Sequence, residues 1–234
     1  VSSKTKTLTS TTTAINTQAL ATASSGVNMA KADVYELSNV YMAADFDTAA
    51  TTSNTDIASR FDLDTGMRDN FYDIGRLRLK PGQLQPTGRL LISFKYFAHG
   101  TGDFFDVDSY SGVVDYSNIP TYTSDTVGKK YELRDCLDFR PRVDDASTIN
   151  AGDGQDRQYS GSGASTVNPV KFGGDITTDH EYYLPRIDKI ILKKDITTNE
   201  HSFEVLKGIP SLDPKSPIDR EDAMSLYILS VPPF

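Results

Sequence analysis

Three histidines, His99, His180 and His201, are spread along the chain. No HxH or HExxH spacing joins them, so the ligand set of a zinc hydrolase is not written locally. The single cysteine, Cys136, allows no internal disulfide and no cysteine-based zinc site. Its neighbours Leu133, Leu137 and Phe139 mark it as a small buried hydrophobe, against a competing reading as a thiolate assisted by Arg134. Gly161, Ser162 and Gly163 fall in a low-complexity stretch, where a strained nucleophile elbow is out of place. Acids are more numerous. Asp45 and Asp47, Asp62 and Asp64, and Asp106 and Asp108 each form a D-x-D pair that offers two oxygens to calcium. None continues into the D-x-D-x-D-G loop with a glutamate at its twelfth place. On a strand such a pair places both carboxylates on one face, toward water. Two carboxylates that meet in space would suit glycoside hydrolysis, but nothing in the sequence selects a pair. Tryptophan, the usual sugar-stacking residue, is absent, although 12 tyrosines are present.

Two arginine–aspartate clusters remain: Arg68, Asp69 and Asp73 with Arg76, and Arg134, Asp135 and Asp138 with Arg140 and Arg142. Every arginine in them has an aspartate within four residues. The pairing points to structural ion pairs that fix loop geometry beside aromatics, rather than to an anion site. No catalytic, cofactor-binding or metal-binding residue is therefore assigned, and no cofactor is expected.

The elements that would position any such chemistry are mainly β. Of the 32 acids 26 are Asp and six are Glu, and the chain also carries 16 Gly and 11 Pro. Asp favours caps and turns where Glu favours helix interiors, so turns are many and helices few. Tyr, Phe, Val, Ile and Thr fill the segments between turns. Arg89–Phe97 is the strongest strand. The segment 32–42 carries apolar residues on both faces, which suits a strand covered on both sides. Residues 104–107 and 110–116 read as short hairpin pieces, 182–192 and 203–207 as paired strands across a turn at 195–199, and 219–224 as one helical turn before a strand at 226–231. The expected fold is an antiparallel, sandwich-like β domain with long loops and little helix.

At 234 residues the chain is long enough for one large domain or two small ones. Residues 1–26, rich in Thr, Ser and Ala, read as a flexible linker or an extended arm ordered by a neighbour. Residues 27–234 then form a single domain, with residues 150–174 as a long Gly/Ser-rich loop, either an exposed insertion or a binding arm. Residue 1 is Val, so the expectation is a processed chain or an excised part of a longer one, and no signal peptide is visible. The net charge of −8 argues against a general binder of phosphate backbones. No apolar run is long enough for a transmembrane helix.

Several segments resemble parts of large virion structural proteins of T4-like tailed phages, those of cyanobacterial phages above all. They are Lys31-Ala-Asp-Val-Tyr-Glu-Leu37, Arg68-Asp-Asn-Phe-Tyr-Asp-Ile-Gly-Arg-Leu77, Tyr131-Glu-Leu-Arg-Asp-Cys-Leu-Asp-Phe-Arg-Pro141, Leu184-Pro-Arg-Ile-Asp-Lys-Ile-Ile-Leu192 and the ending Asp222–Phe234. The resemblance spans roughly residues 27–234 and carries no catalytic motif. It implies a β-rich structural component of the phage tail, in the baseplate or a tail fibre, that works by protein–protein assembly. The partners it implies are other tail or baseplate proteins, with self-association open, and neither nucleic acid nor membrane. A host-receptor or glycan-binding module of the tail is the alternative, for which Tyr182 and Tyr183 are the natural aromatic patch. A polysaccharide hydrolase ranks after it.

Overall fold

The computed structural model describes residues 2–147, 157–165, 173–175, 177, 182–195 and 197–233. It is mainly β, with 40% strand and 8% helix. The chain divides into two compact units, Val1–Phe172 and Gly173–Phe234, in place of the single domain expected over 27–234.

In the first unit the strands are β1 (Lys6–Ile15), β2 (Val27–Ala32), β3 (Val34–Met42), β4 (Thr55–Asp56), β5 (Phe61–Asp64), β6 (Ile74–Leu79), β7 (Leu90–His99), β8 (Thr121–Thr123) and β9 (Lys130–Glu132). They form a four-stranded sheet ordered β1-β7-β3-β4, a three-stranded sheet ordered β2-β6-β5 and the hairpin β8-β9. All pairings between these strands are antiparallel. The two larger sheets share one core, in which Ile15, Val34, Ile92 and Phe94 of the first meet Val27, Met29, Phe61 and Leu77 of the second. That arrangement is sandwich-like.

Strand β7 serves two cores. Leu90, Ile92 and Phe94 point into the sandwich, while Phe97 points to a second cluster with Tyr72, Phe105, Tyr110 and Leu133. Successive strand residues face opposite sides, so the odd-numbered Phe97 and His99 leave the even-numbered face. Strand β3, expected to be covered on both sides, buries Val34 and Val40, and its register on β7 shifts twice.

The segment expected to be an arm is instead an integral strand. β1 pairs with β7 over ten consecutive residues, Lys6 opposite His99 through Ile15 opposite Leu90. Its threonines are β-branched and favour the strand, whatever their low-complexity appearance. Both ends are anchored: Lys6 and Ile15 are buried, and the Lys4 amide donates to the Phe104 carbonyl at 2.6 Å. A short helix, α1 (Gln18–Ala21), follows, capped by the Thr17 hydroxyl.

Two further expectations change. Residues 104–116 form no hairpin. The Asp106 carboxylate and Ser109 cap each other's backbone and wind Val107–Tyr110 into a 3₁₀ turn. Of the expected loop at 150–174, residues 150–156 and 166–172 lie outside the described residues. Residues 157–165 are anchored at both ends, with Arg157 and Ser165 buried and residues 160–163 exposed between them. A Cβ on Gly161, which has φ of +130°, would sit 2.1 Å from an Asp144 carboxylate oxygen, so only glycine allows that approach.

The second unit is a three-stranded antiparallel sheet ordered β11-β10-β12, with β10 (Arg186–Lys194) central between β11 (His201–Leu206) and β12 (Ala223–Val231). Asp195 turns the chain between β10 and β11 by accepting from the Thr197 and Thr198 amides. Asp219–Met224 makes no helix: a turn at residues 221 and 222 leads directly into β12.

Candidate functional site

The densest chemistry in the first unit lies behind the end of β7. Lys6 opens β1 directly opposite His99, so both side chains leave the sheet on the same side. Asp33 sits between β2 and β3 with φ of +54°, a left-handed conformation that Asp tolerates. The Phe97 amide donates to its carbonyl at 2.9 Å, which turns its carboxylate inward. Lys6 Nζ and His99 Nε2 both lie 2.7 Å from Asp33 Oδ2. The side chains of all three are fully inaccessible.

Four aromatic rings enclose the ammonium. Lys6 Nζ is 4.5 Å from the Tyr72 ring centre, 4.6 Å from Phe105, and 5.0 Å from both Phe97 and Tyr110. The Tyr72 hydroxyl donates to Asp138, which Arg140 clamps with Nε and Nη2 at 2.9 and 2.8 Å. The Arg140 guanidinium lies between the Tyr72 and Tyr122 rings, 4.5 and 4.7 Å from their centres.

Electrostatics hold this cluster in one protonation state. Burial disfavours the carboxylate of Asp33, but Lys6 and His99 outweigh it and keep Asp33 well below the usual range. Burial likewise opposes the Lys6 cation, and Asp33 overcomes it. Asp138 stays low through Arg140 despite its burial, and burial with the Asp138 charge pushes the Tyr72 phenol well up. His99 goes the other way: loss of water pushes it down to about 4, against an ordinary 6.5, despite its bond to Asp33.

That last shift fixes a pH dependence. The folded chain keeps His99 neutral while the unfolded chain protonates it below about 6.5, so stability is full above that pH and falls as the pH drops toward 4. Full transfer through the window is worth roughly 3 kcal/mol. The denaturant midpoint is expected to fall between pH 7 and pH 4.5, and His99→Gln is expected to flatten that segment. Equal wild-type midpoints at both pH values would contradict it.

On the outer side of Arg140 a cavity of about 1000 Å³ opens, lined among others by Asp69, Tyr122, Tyr131, Cys136 and Phe139. Asp69 accepts from the Tyr122 hydroxyl at 2.6 Å and from Thr126, and these bonds hold its carboxyl down at about 2. Cys136 is half-buried rather than fully buried, and burial with the nearby aspartates raises its thiol. Both effects disfavour the thiolate, the reactive form.

The remaining residues singled out by spacing go to structural tasks. Asp64 takes both Arg68 and Arg78, at 2.8 and 2.9 Å. Asp73 pairs across the fold with Arg157 at 2.9 Å, not with Arg76, which donates to the Ser25 carbonyl. Asp45 accepts from the Asp47 and Thr48 amides in a turn. Among the described residues no group of three or more His, Cys, Asp or Glu side chains is placed to hold a metal ion. His201 begins β11 and is exposed, and His180 lies outside the described residues. Sequence reading missed Lys4 and Lys6. Their i, i+2 spacing, the only charge in a Ser/Thr run, was the available signal for one face of a strand.

The second unit presents a different surface. Phe203 and Val205 on β11 stand opposite Leu192 and Ile190, and Met224, Tyr227 and Leu229 on β12 stand opposite Leu192, Ile190 and Asp188. Directly opposite residues share a face, so these five apolar side chains lie on one side of the sheet. All five are exposed, from 42% for Leu229 to 76% for Phe203. Tyr182 and Tyr183, just before β10, are exposed as well. Within the sheet β11 and β12 are both edges.

No family model matches the chain, and neither a curated protein nor a solved structure similar to it is found.

Proposed function

We propose that the chain is a structural component of a tailed-phage virion, in the baseplate or tail-fibre region, that acts by protein–protein assembly. The observation that carries the assembly part is the apolar face of the second unit. A three-stranded sheet with one apolar face gains stability when another surface covers it, and contiguous exposed apolar patches mark interaction sites. As the edge strands of that sheet, β11 and β12 offer backbone donors and acceptors for strand addition. Ionised, mutually paired carboxylates in the first unit fit a scaffold better than they fit a general acid. The placement in a phage tail rests on the sequence resemblance.

The test is immunogold electron microscopy and protein mass spectrometry on purified virions of the encoding phage. Label on the tail, lost together with tail assembly when Tyr227→Lys and Leu229→Lys are introduced, is the expected result. Absence of the chain from purified virions would overturn the proposal. A second reading, glycan binding at the tail, is favoured by the exposed Tyr182 and Tyr183 and by the tyrosine-lined cavity. Saturable binding on a glycan array, lost in Tyr183→Ala, would select it.

A further inference from the structure

We propose that Lys6 and Asp33 join in an intramolecular isopeptide bond, formed by the folded chain itself. The inference is independent of the phage reading and concerns the buried cage of the first unit.

The geometry brings the two reacting groups together, with His99 Nε2 against the carboxylate and the Tyr72 hydroxyl 3.4 Å from the amine. Lys6 Nζ lies 2.7 Å from Asp33 Oδ2, and neither side chain is accessible to solvent. Tyr72, Phe97, Phe105 and Tyr110 wall the Lys6 ammonium with rings. Holding an amine against a carboxyl in this way replaces a bimolecular encounter, and effective molarities for such pairs reach about 10⁵–10⁸ M. Exclusion of water removes the competing hydrolysis.

The site is also poorly finished as a salt bridge. Asp33 Oδ1 is buried and accepts no hydrogen bond among the described residues, and the same holds for His99 Nδ1. A buried carboxylate with one bare oxygen is costly, whereas an amide carbonyl in the same place carries no net charge. Condensation removes both charges from the cage at once.

The step balances without an outside reagent. From the resting ion pair, the proton shared in the Lys6–Asp33 hydrogen bond passes transiently from Nζ to Oδ2, leaving an amine beside a carboxylic acid with no change in net charge. The Nζ lone pair attacks Cγ and a C–N bond forms. The Cγ–Oδ2 bond breaks, a second proton passes from Nζ to the departing oxygen, and one water leaves. Nothing is oxidised or reduced. His99 Nε2, 2.7 Å from Oδ2, is the positioning group that holds and polarises the leaving oxygen when its proton lies on that nitrogen. Oδ1 remains as the amide oxygen. The product ties the first residue of β1 to the β2–β3 junction, so that β1 can no longer peel from β7.

Intact-mass spectrometry of the purified, denatured full chain tests this. The expected wild-type mass is short by one water, and Lys6→Met restores the full value. Trypsin cuts after Lys4, Lys31 and Arg60, so the linked chain is expected to yield one branched peptide joining residues 5–31 to residues 32–60. The branched peptide in the wild type decides the matter even where Lys6→Met fails to fold. It also separates the isopeptide from succinimide formation at Asp153 and Gly154, which loses the same mass. A folded wild-type chain of full mass, or one short of a water without the branched peptide, overturns the proposal.

Discussion

Deletion of residues 1–16 is expected to unfold the first unit. The deletion removes the ten-residue ladder between β1 and β7 and takes Ile15 from the sandwich core. Burial of one such side chain is worth about 1.5–3 kcal/mol. It also takes Lys6 from Asp33, leaving a fully buried carboxylate with only neutral His99 beside it. Removing one partner of a buried ion pair costs about 3–5 kcal/mol. The aromatic cage around the ammonium is left empty besides. Together these losses reach the 5–15 kcal/mol that a domain has in total. The check is far-UV circular dichroism and solubility of the truncated chain, followed by addition of a synthetic peptide of residues 1–16. Loss of the β signal, recovered by the peptide through strand addition, is the expected result. A truncated chain that melts like the full one would show the segment to be the arm its composition suggests.

That contrast shows where the sequence is readable. The run Arg89–Phe97 is legible because local composition and turn residues agree, and β3 and β10 are legible for the same reason. β1 is hidden because a Thr/Ser run scores as low complexity while each threonine individually favours a strand. What decides between the two is the existence of β7 as a template some 80 residues on, which no local window contains. The buried cluster is hidden for a stronger reason. Lys6, Asp33, Tyr72, His99, Asp138 and Arg140 come from five separate stretches, and only the sheet register brings His99 opposite Lys6. The arginine–aspartate clusters were legible as ion pairs, yet the partner of Asp73 is Arg157, from the segment that reads as loop. Sequence proximity names the charge type but not the partner. The apolar face of the second unit was half legible. Its strands could be read, but exposure depends on what covers them.

The second large effect concerns Arg142, which is 1% exposed and joins three segments. Its guanidinium donates to the Asp145 carboxylate at 2.8 Å, to the Ala32 carbonyl at 3.3 Å and to the Gly163 carbonyl. Its own amide donates to the Ser165 hydroxyl at 2.7 Å. Arg142→Met keeps much of the buried stem but takes a charged donor from the Ala32 and Gly163 carbonyls and one cation from Asp145. Lys31, 2.6 Å from that carboxylate, offsets part of the loss. The expected cost is therefore near the lower end for a broken buried pair, about 3 kcal/mol. For a unit of this size that lowers the melting temperature of its transition by roughly 6–12 °C. The exposed pair of Glu36 and Lys95, with a similar 2.6 Å separation, is the control. Solvent screens it, so Glu36→Gln is expected to cost less than about 1 kcal/mol. Chemical denaturation followed by tyrosine fluorescence measures both variants. Protection of residues 157–165 in hydrogen exchange adds a local readout, because Arg142 is what fastens that segment to the β2–β3 junction. Equal, small losses in the two variants would mean that burial gives Arg142 no structural role beyond that of a surface charge.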